Sequence, residues 1–291
     1  MTAWRTTRFL VDLTRPRVMG IVNVTPDSFF DGGLHARAEA AIALCERLCD
    51  EGADLLDIGG ESTRPGAAAV SLEQERERVL PVLRHALRLG VPVSVDTRRT
   101  ALMREALDAG ADIVNDINAL RDDGAEALLA RHPAAGICLM HMRGEPGSMQ
   151  QAPVYGDVVT EVRDFLAQRA AALRERGVDG QRMVIDPGFG FGKTDAHNLA
   201  LHHGLGELLG LGFPVLVGWS RKSTLGRITG RPVHERLAAS LAAALSAVQR
   251  GARVVRVHDV AATVDALKTW QALEADTAPM EHPTLNLARY P

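Results

Sequence analysis

Eight short apolar runs, each ending in polar residues, constrain this chain more than any other feature. Val18-Met19-Gly20-Ile21-Val22 ends at Asn23, and Leu55-Leu56-Asp57-Ile58 runs into Gly59-Gly60-Glu61-Ser62-Thr63-Arg64. Val91-Pro92-Val93-Ser94-Val95 ends at Asp96, and Ile113-Val114 at Asn115-Asp116. Ile137-Cys138-Leu139-Met140 ends at His141, and Met183-Val184-Ile185 at Asp186. Val215-Leu216-Val217 leads into Gly218-Trp219-Ser220-Arg221-Lys222, and Val254-Val255 into Arg256-Val257-His258-Asp259. Near-continuous apolar strands alternating with helices build a parallel sheet buried on both faces. Eight such units close into an α/β (β/α)8 TIM barrel, whose strand ends converge on one mouth. The expected architecture is therefore one barrel domain over 1–291, with its chemistry gathered from distant segments.

Between the runs lie segments of helical period. His35 to Asp50 aligns Ala38, Ile42, Cys45 and Cys49 on one stripe, and Leu72 to Leu89 starts behind an N-capping Ser71. Helices are also expected over Asp157 to Arg176, His234 to Arg250 and Asp259 to Ala275. Gly52, Gly90, Gly110, Gly177 and Gly251 each close a helix before the next strand, where a left-handed C-cap favours glycine. Three connections exceed the usual ~4–6 residues: Thr25 to Gly33, Thr63 to Val70 and Arg143 to Tyr155. Long loops on the chemical face serve as lids or substrate walls. The proline-bearing stretch after Thr277 is expected to pack loosely.

Bulk composition mostly excludes. The net charge of −3 offers no nucleic acid or membrane an electrostatic partner. The Ala/Leu-rich stretch from Leu237 to Val248 is shorter than the ~20 residues that span a bilayer. The N-terminus lacks a signal-peptide core. The three cysteines, Cys45, Cys49 and Cys138, form no disulfide framework and read as small buried hydrophobes, which fits a reducing cytoplasm.

Gly188-Phe189-Gly190-Phe191-Gly192-Lys193-Thr194 imitates a phosphate loop, but the required first glycine is Pro187, and the third glycine of a dinucleotide fingerprint falls on Lys193. It reads better as a tight loop that lets backbone approach a flat ligand, with Phe189 or Phe191 as a wall. A barrel zinc hydrolase would open with paired histidines after the first strand; here that position is Asn23-Val24-Thr25-Pro26-Asp27. Asp96, Asn115 and Asp186 form the sharper group. Singly each could cap a helix. Together they present acceptors to a ligand rich in N–H donors, such as an amino-oxo-pyrimidine edge. Lys222, Arg256 and His258 bring donors and positive charge from the seventh and eighth strands, where barrels often hold phosphate. Arg256 and His258, two residues apart, leave the same strand face. Asn23 is suited to one position on a magnesium ion carried by phosphate oxygens.

These residues lie in motifs that resemble the dihydropteroate synthase family, the pterin-condensing enzymes of folate biosynthesis. The matching stretches are Met19-Gly20-Ile21-Val22-Asn23-Val24-Thr25-Pro26-Asp27-Ser28-Phe29, Asp57-Ile58-Gly59-Gly60-Glu61-Ser62-Thr63-Arg64-Pro65-Gly66, Ser94-Val95-Asp96-Thr97 and Asn115-Asp116-Ile117. His141-Met142-Arg143-Gly144, Asp186 through Lys193, Ser220-Arg221-Lys222 and Arg256 through Val260 continue the series. The resemblance runs from about Val18 to the final helix.

It implies that Asp96, Asn115, Ile117, Met140, Asp186, Lys222 and Arg256 bind the pterin. Asn23, Thr63, Arg64, Arg256 and His258 then hold the pyrophosphate, with Mg2+ on Asn23. Phe29, Thr63, Arg64, Pro65, Phe191 and Ser223 line the p-aminobenzoate side. Asp96, Lys222, Arg256 and His258 carry the catalysis. The implied reaction joins 6-hydroxymethyl-7,8-dihydropterin pyrophosphate to p-aminobenzoate through a pterin methylene cation, in a cytoplasmic homodimer sensitive to sulfonamides. Phe30 and Trp219 depart from the family pattern and bear on loop shape and inhibitor fit. A pterin-binding paralogue with little synthase activity and a methyltetrahydrofolate-type methyltransferase are the competing readings.

Overall fold

The structure is a computed structural model that describes residues 1–25, 34–62 and 70–274, with only the backbone over 34–36. A short antiparallel hairpin, β1 (Ala3–Arg5) and β2 (Leu10–Asp12), precedes the barrel. The barrel strands are β3 (Arg17–Asn23), β4 (Leu55–Gly59), β5 (Val93–Asp96), β6 (Ile113–Asp116), β7 (Gly136–Met140), β8 (Met183–Asp186), β9 (Leu216–Val217) and β10 (Val254–Val257). They pair in parallel in the order β8-β7-β6-β5-β4-β3-β10-β9. A parallel bridge between Ile185 and Val215 joins β8 to the residue before β9 and brings the two ends of the sheet together. The expected eight-stranded barrel is thus observed.

Helices return the chain between strands: α1 (Leu34–Asp50), α2 (Leu72–Ala86), α3 (Thr100–Asp108), α4 (Ala125–Arg131) and α5 (Val158–Glu175). Two short helices, α6 (Asp195–His203) and α7 (Leu205–Leu209), lie between β8 and β9. Then come α8 (Ser223–Thr229), α9 (Leu237–Gln249) and α10 (Val260–Glu274). Ser71 caps α2 in a capping box with Gln74, and Asp157 caps α5 through the amides of Val159 and Thr160. The five glycines expected at helix ends all have positive φ, between 79° and 103°. One helix starts later than the periodicity predicts. Pro232 opens a 3-10 turn over Val233–Glu235, Arg236 leaves helical geometry, and α9 begins at Leu237.

The barrel interior is built by the two-residue period of its strands. Met19, Leu55, Ile113, Cys138, Val184, Leu216 and Val254 form an apolar layer toward the strand starts. Their sequence neighbours Val18, Leu56, Val114, Ile137, Leu139, Ile185, Val217 and Val255 point outward and join the core shared with the helices. The hairpin closes the inner layer from below. Trp4 is fully buried there, its indole N–H donates to the Arg182 carbonyl at 2.9 Å, and Val11 and Leu13 pack beside it. Sequence periodicity gave no warning of this plug, because three-residue strands are too short to show a pattern.

Candidate active site

Climbing two residues from the apolar layer along each strand reaches Ile21, Asp57, Asn115, Met140, Asp186, Gly218 and Arg256. Climbing two more reaches Asn23, Gly59, Ile117, Gly188, Ser220 and His258. Asp96 joins this upper rung across the ladder from Gly59. These rungs line a cavity of ≈ 500 Å³ at the mouth of the barrel. The fold therefore brings together every expected site residue that falls within the described chain. Asn23, Asp96, Asn115, Ile117, Met140 and Asp186 line the cavity, as do Phe191, Lys222, Ser223, Arg256 and His258. Phe29, Thr63, Arg64 and Pro65 lie outside the described residues, as do Phe30 and the tail after Thr277.

Arg256 is the hub. Its Nε donates to Asp57 Oδ2 at 2.6 Å and its Nη2 to Asp96 Oδ2 at 2.8 Å. Burial opposes its charge, but the two carboxylates outweigh that and push its pKa up. Asp57 was absent from the expected site. It is fully buried in mid-strand, and its Oδ2 also accepts from Asn115 Nδ2 at 3.0 Å. That bond fixes the Asn115 amide with its nitrogen committed to Asp57, leaving Oδ1 as its acceptor. The signal was present in the sequence: Asp57 has the same strand parity as Gly59 and stands in an otherwise apolar run. Asp96 is pushed up to about 7, first by burial and then by the charge of Asp57, against the pull of Arg256.

On the opposite wall, Asp186 is 6% exposed and its Oδ1 accepts from the Gly188 amide at 2.7 Å. Burial raises its pKa to about 6, held back by that bond and by Lys222 and Lys193. Lys222 is pushed down to about 8 by burial and by Arg256, and its Nζ lies 4.2 Å from the centre of the Phe191 ring. Ile117, Met140, Met142 and Met149 form an apolar cluster against Phe191. Met149 comes from the long connection between β7 and α5, which thus supplies a wall as a long loop on this face should. A thioether gives no pattern by which a sequence could have announced it. His258 sits beside Ser220, whose hydroxyl lies 2.9 Å from Nδ1 and accepts from the His258 amide at 3.1 Å.

The glycine-rich loop lines the cavity and also packs tightly on its neighbour. Gly188, Gly190 and Gly192 all have positive φ. A Cβ at Gly188 would stand 2.0 Å from the His141 carbonyl oxygen, and one at Gly192 would stand 2.2 Å from that of Arg143. The close approach at these two positions is to the protein's own β7 loop, while Gly188 and Gly190 also line the cavity. Phe189 is no free wall. It borders the cavity but is 2% exposed and stacks on Trp219 with ring centres 4.2 Å apart, so Phe191, half-buried, presents the more open ring. Trp219 packs behind the strand against Phe189 and His202. His141 also faces outward, edge-on to Phe165 at 4.9 Å.

A pocket with carboxylates set for N–H donors, an arginine hub and an apolar flank has clear relatives. The model of the pterin-binding enzymes matches residues 19–258. The dihydropteroate synthase of Neisseria meningitidis serogroup B is 55% identical over 276 residues, which cover 93% of this chain and 97% of that one. The chain belongs to the dihydropteroate synthase family. The Xanthomonas albilineans dihydropteroate synthase, solved with 4-aminobenzoic acid, superposes with a TM-score of 0.88 at 52% identity, covering 95% of this chain and all of that one. The Yersinia pestis dihydropteroate synthase, solved with a sulfonamide drug, gives 0.88 at 43% identity, covering 93% and 98%. Such identity over nearly the whole chain makes this protein an enzyme of the family.

Proposed function

We propose that this enzyme joins 6-hydroxymethyl-7,8-dihydropterin pyrophosphate to p-aminobenzoate, releasing pyrophosphate, by a dissociative route. The observation that carries the reading is the Asp57–Arg256–Asp96 cluster, facing Asp186 and Lys222 across one cavity. Asp186 accepts from the amino-pyrimidine edge of the pterin, Lys222 donates to its oxo group, and Asn115 Oδ1 accepts from a further ring N–H. Arg256 lies over the ring, with Met140 and Ile117 packed around it.

The C–O bond to pyrophosphate breaks first and its electron pair leaves with the phosphate oxygen. The methylene cation is delocalised into the pterin and stabilised by Asp96. The lone pair of the neutral aryl amine then forms the C–N bond, and the cationic nitrogen loses its proton to water. The amine needs no strong base, so no nucleophile–base pair is required. Arg256, His258, Thr63 and Arg64 hold the departing pyrophosphate. Phe191, Ser223, Phe29 and Pro65 border the p-aminobenzoate.

Asn23 offers one neutral oxygen, and no group of three His, Cys, Asp or Glu among the described residues could cage a metal. Those donors fit a magnesium ion that arrives on the pyrophosphate, with Asn23 as its protein ligand. When bound, the ion neutralises charge on the leaving group. A homodimer is supported by Ile228, Val233 and Leu237, which are 60%, 49% and 42% exposed on α8, the turn after it and the start of α9. Among the described residues no helix is long and apolar enough to cross a membrane; a cytoplasmic location rests on the absence of a disulfide framework. Incubation with dihydropterin pyrophosphate, p-aminobenzoate and magnesium should yield dihydropteroate, with sulfonamides competing against the aryl amine. Pterin binding without product would favour a paralogue that only binds, or a methyl carrier.

A further inference from the structure

The Gly188–Lys193 motif ends in a lysine that the reaction does not use. Lys193 is 2% exposed, and among the described residues no salt bridge joins its ammonium to a carboxylate. Its Nζ instead meets backbone: it donates to the carbonyls of Gly188 at 3.0 Å, Phe191 at 3.0 Å and His141 at 3.1 Å. His141 Nδ1 lies 2.9 Å away as a further acceptor. An ammonium has three N–H donors and no acceptor, so this cage matches its chemistry. Burial pushes the lysine's pKa well down, a cost that an apolar side chain of the same length would avoid. The carbonyls it gathers belong to two walls of the cavity. Gly188 also donates to Asp186, and Phe191 carries the ring that faces Lys222. Lys222 touches this loop from the cavity side, where a Cβ on Gly190 would lie 3.2 Å from its chain.

We infer that Lys193 is a positioning residue whose ammonium pins the loop between Asp186 and Phe191 to the end of β7, and so sets the gap that receives the ring of the second substrate. The inference rests on the reading of Phe191 as the p-aminobenzoate wall. Asp186 is anchored by its own strand and by the Gly188 amide. Loss of the pin therefore falls on Phe191 more than on the pterin edge.

The test is Lys193→Met, which keeps an unbranched chain one atom shorter and removes the donors, alongside Lys193→Gln, which keeps two donors. Steady-state constants and pterin affinity by calorimetry are measured on purified enzyme. The expected result for Lys193→Met is a KM for p-aminobenzoate at least tenfold higher, with pterin affinity changed less than threefold. Lys193→Gln should fall between it and the wild type. A lower Tm with both constants at wild-type values would overturn the inference and leave Lys193 a stability element. Equal losses for both ligands would overturn it too. If Lys193→Met does not fold, the same split is read on Lys193→Gln, and an unchanged KM there refutes the pin. A wild-type enzyme that makes no dihydropteroate would instead sink the functional reading.

Discussion

Asp57→Asn separates charge from geometry at the hub. Asp57 uses Oδ2 for both of its bonds, to Arg256 and to Asn115, while Oδ1 has no hydrogen-bond partner among the described residues. The amide oxygen can replace Oδ2 and the NH2 can replace Oδ1, so both bonds survive while the charge goes and a donor takes the place of an unpartnered oxygen. Turning a charge-assisted bond into a neutral one costs about 1–1.5 kcal/mol, or roughly tenfold in kcat/KM. The pH profile carries the sharper signature. On the proposed route Asp96 must be ionised to stabilise the cation, and its pKa is raised to about 7, so activity should fall as pH drops through that value. Besides Asp57, the charges that act on Asp96 are Arg256, Glu75 and Asp116, and Lys222 feels it in turn. Two carboxylates on one guanidinium lie on the order of 5–6 Å apart, which at an effective dielectric of about 20 is roughly 3 kcal/mol of repulsion. Arg256 offsets part of this in the wild type and pairs with Asp96 alone in the variant. Both changes lower the Asp96 pKa, so the acidic limb should move down by about one unit or more. Asp57→Ala, which also frees the Asn115 amide and leaves Arg256 half-paired, should cost about 3 kcal/mol in stability. The assay is kcat/KM for the pterin substrate between pH 5 and 9. An Asp57→Asn enzyme with its acidic limb unmoved would show that Asp57 does not set the charge state of Asp96.

Three further outcomes are expected. Asp186→Asn turns an NH2 toward the ligand's own donors and should weaken pterin binding at least tenfold by calorimetry, since an unpaired buried donor costs roughly 1–3 kcal/mol. His258→Ala should weaken the pterin pyrophosphate while sparing the phosphate-free pterin; equal losses would make His258 structural. Pterin affinity should plateau between pH 6 and 8, because Asp186, raised to about 6, loses its charge below that range and Lys222, lowered to about 8, loses its proton above it. A flat profile from pH 5 to 9 would remove both groups from the contact.

The barrel was legible because parallel strands buried on both faces leave long apolar runs, and the residues ending them stand at one mouth. Asp96, Asn115, Asp186, Arg256 and His258 were found in this way. Asp57 was missed because β4 runs two residues past it to Gly59, so it stands inside its strand and only parity places it level with Asn115, Asp186 and Arg256. The hairpin plug was missed because its strands span three residues each. The glycine loop was assigned to ligand approach because sequence shows that backbone must come close, not what it comes close to. The carbonyls of His141 and Arg143 belong to the loop that follows a strand some fifty residues earlier, an approach fixed only when β7 and β8 lie side by side.

That side-by-side closure also arranges the charge along the barrel axis. Asp57 and Asp186 on the lower rung and Asp96 one rung up outnumber Arg256 and Lys222, so on the proposed reading the fully ionised cluster carries one net negative charge beside the ring. One rung above Arg256 stand His258, Ser220 and Asn23, which offer donors and a neutral oxygen. Under the proposed route, heterolysis moves positive charge onto the pterin and negative charge onto the leaving group above it. The groups that favour each end are already paired and packed before substrate enters, so little of their orientation has to be established during the reaction. On that proposal the two-residue step of β10 sets Arg256 against both the ring and the pyrophosphate and His258 against the pyrophosphate alone, and their separation along one strand gives the direction in which the bond is pulled apart.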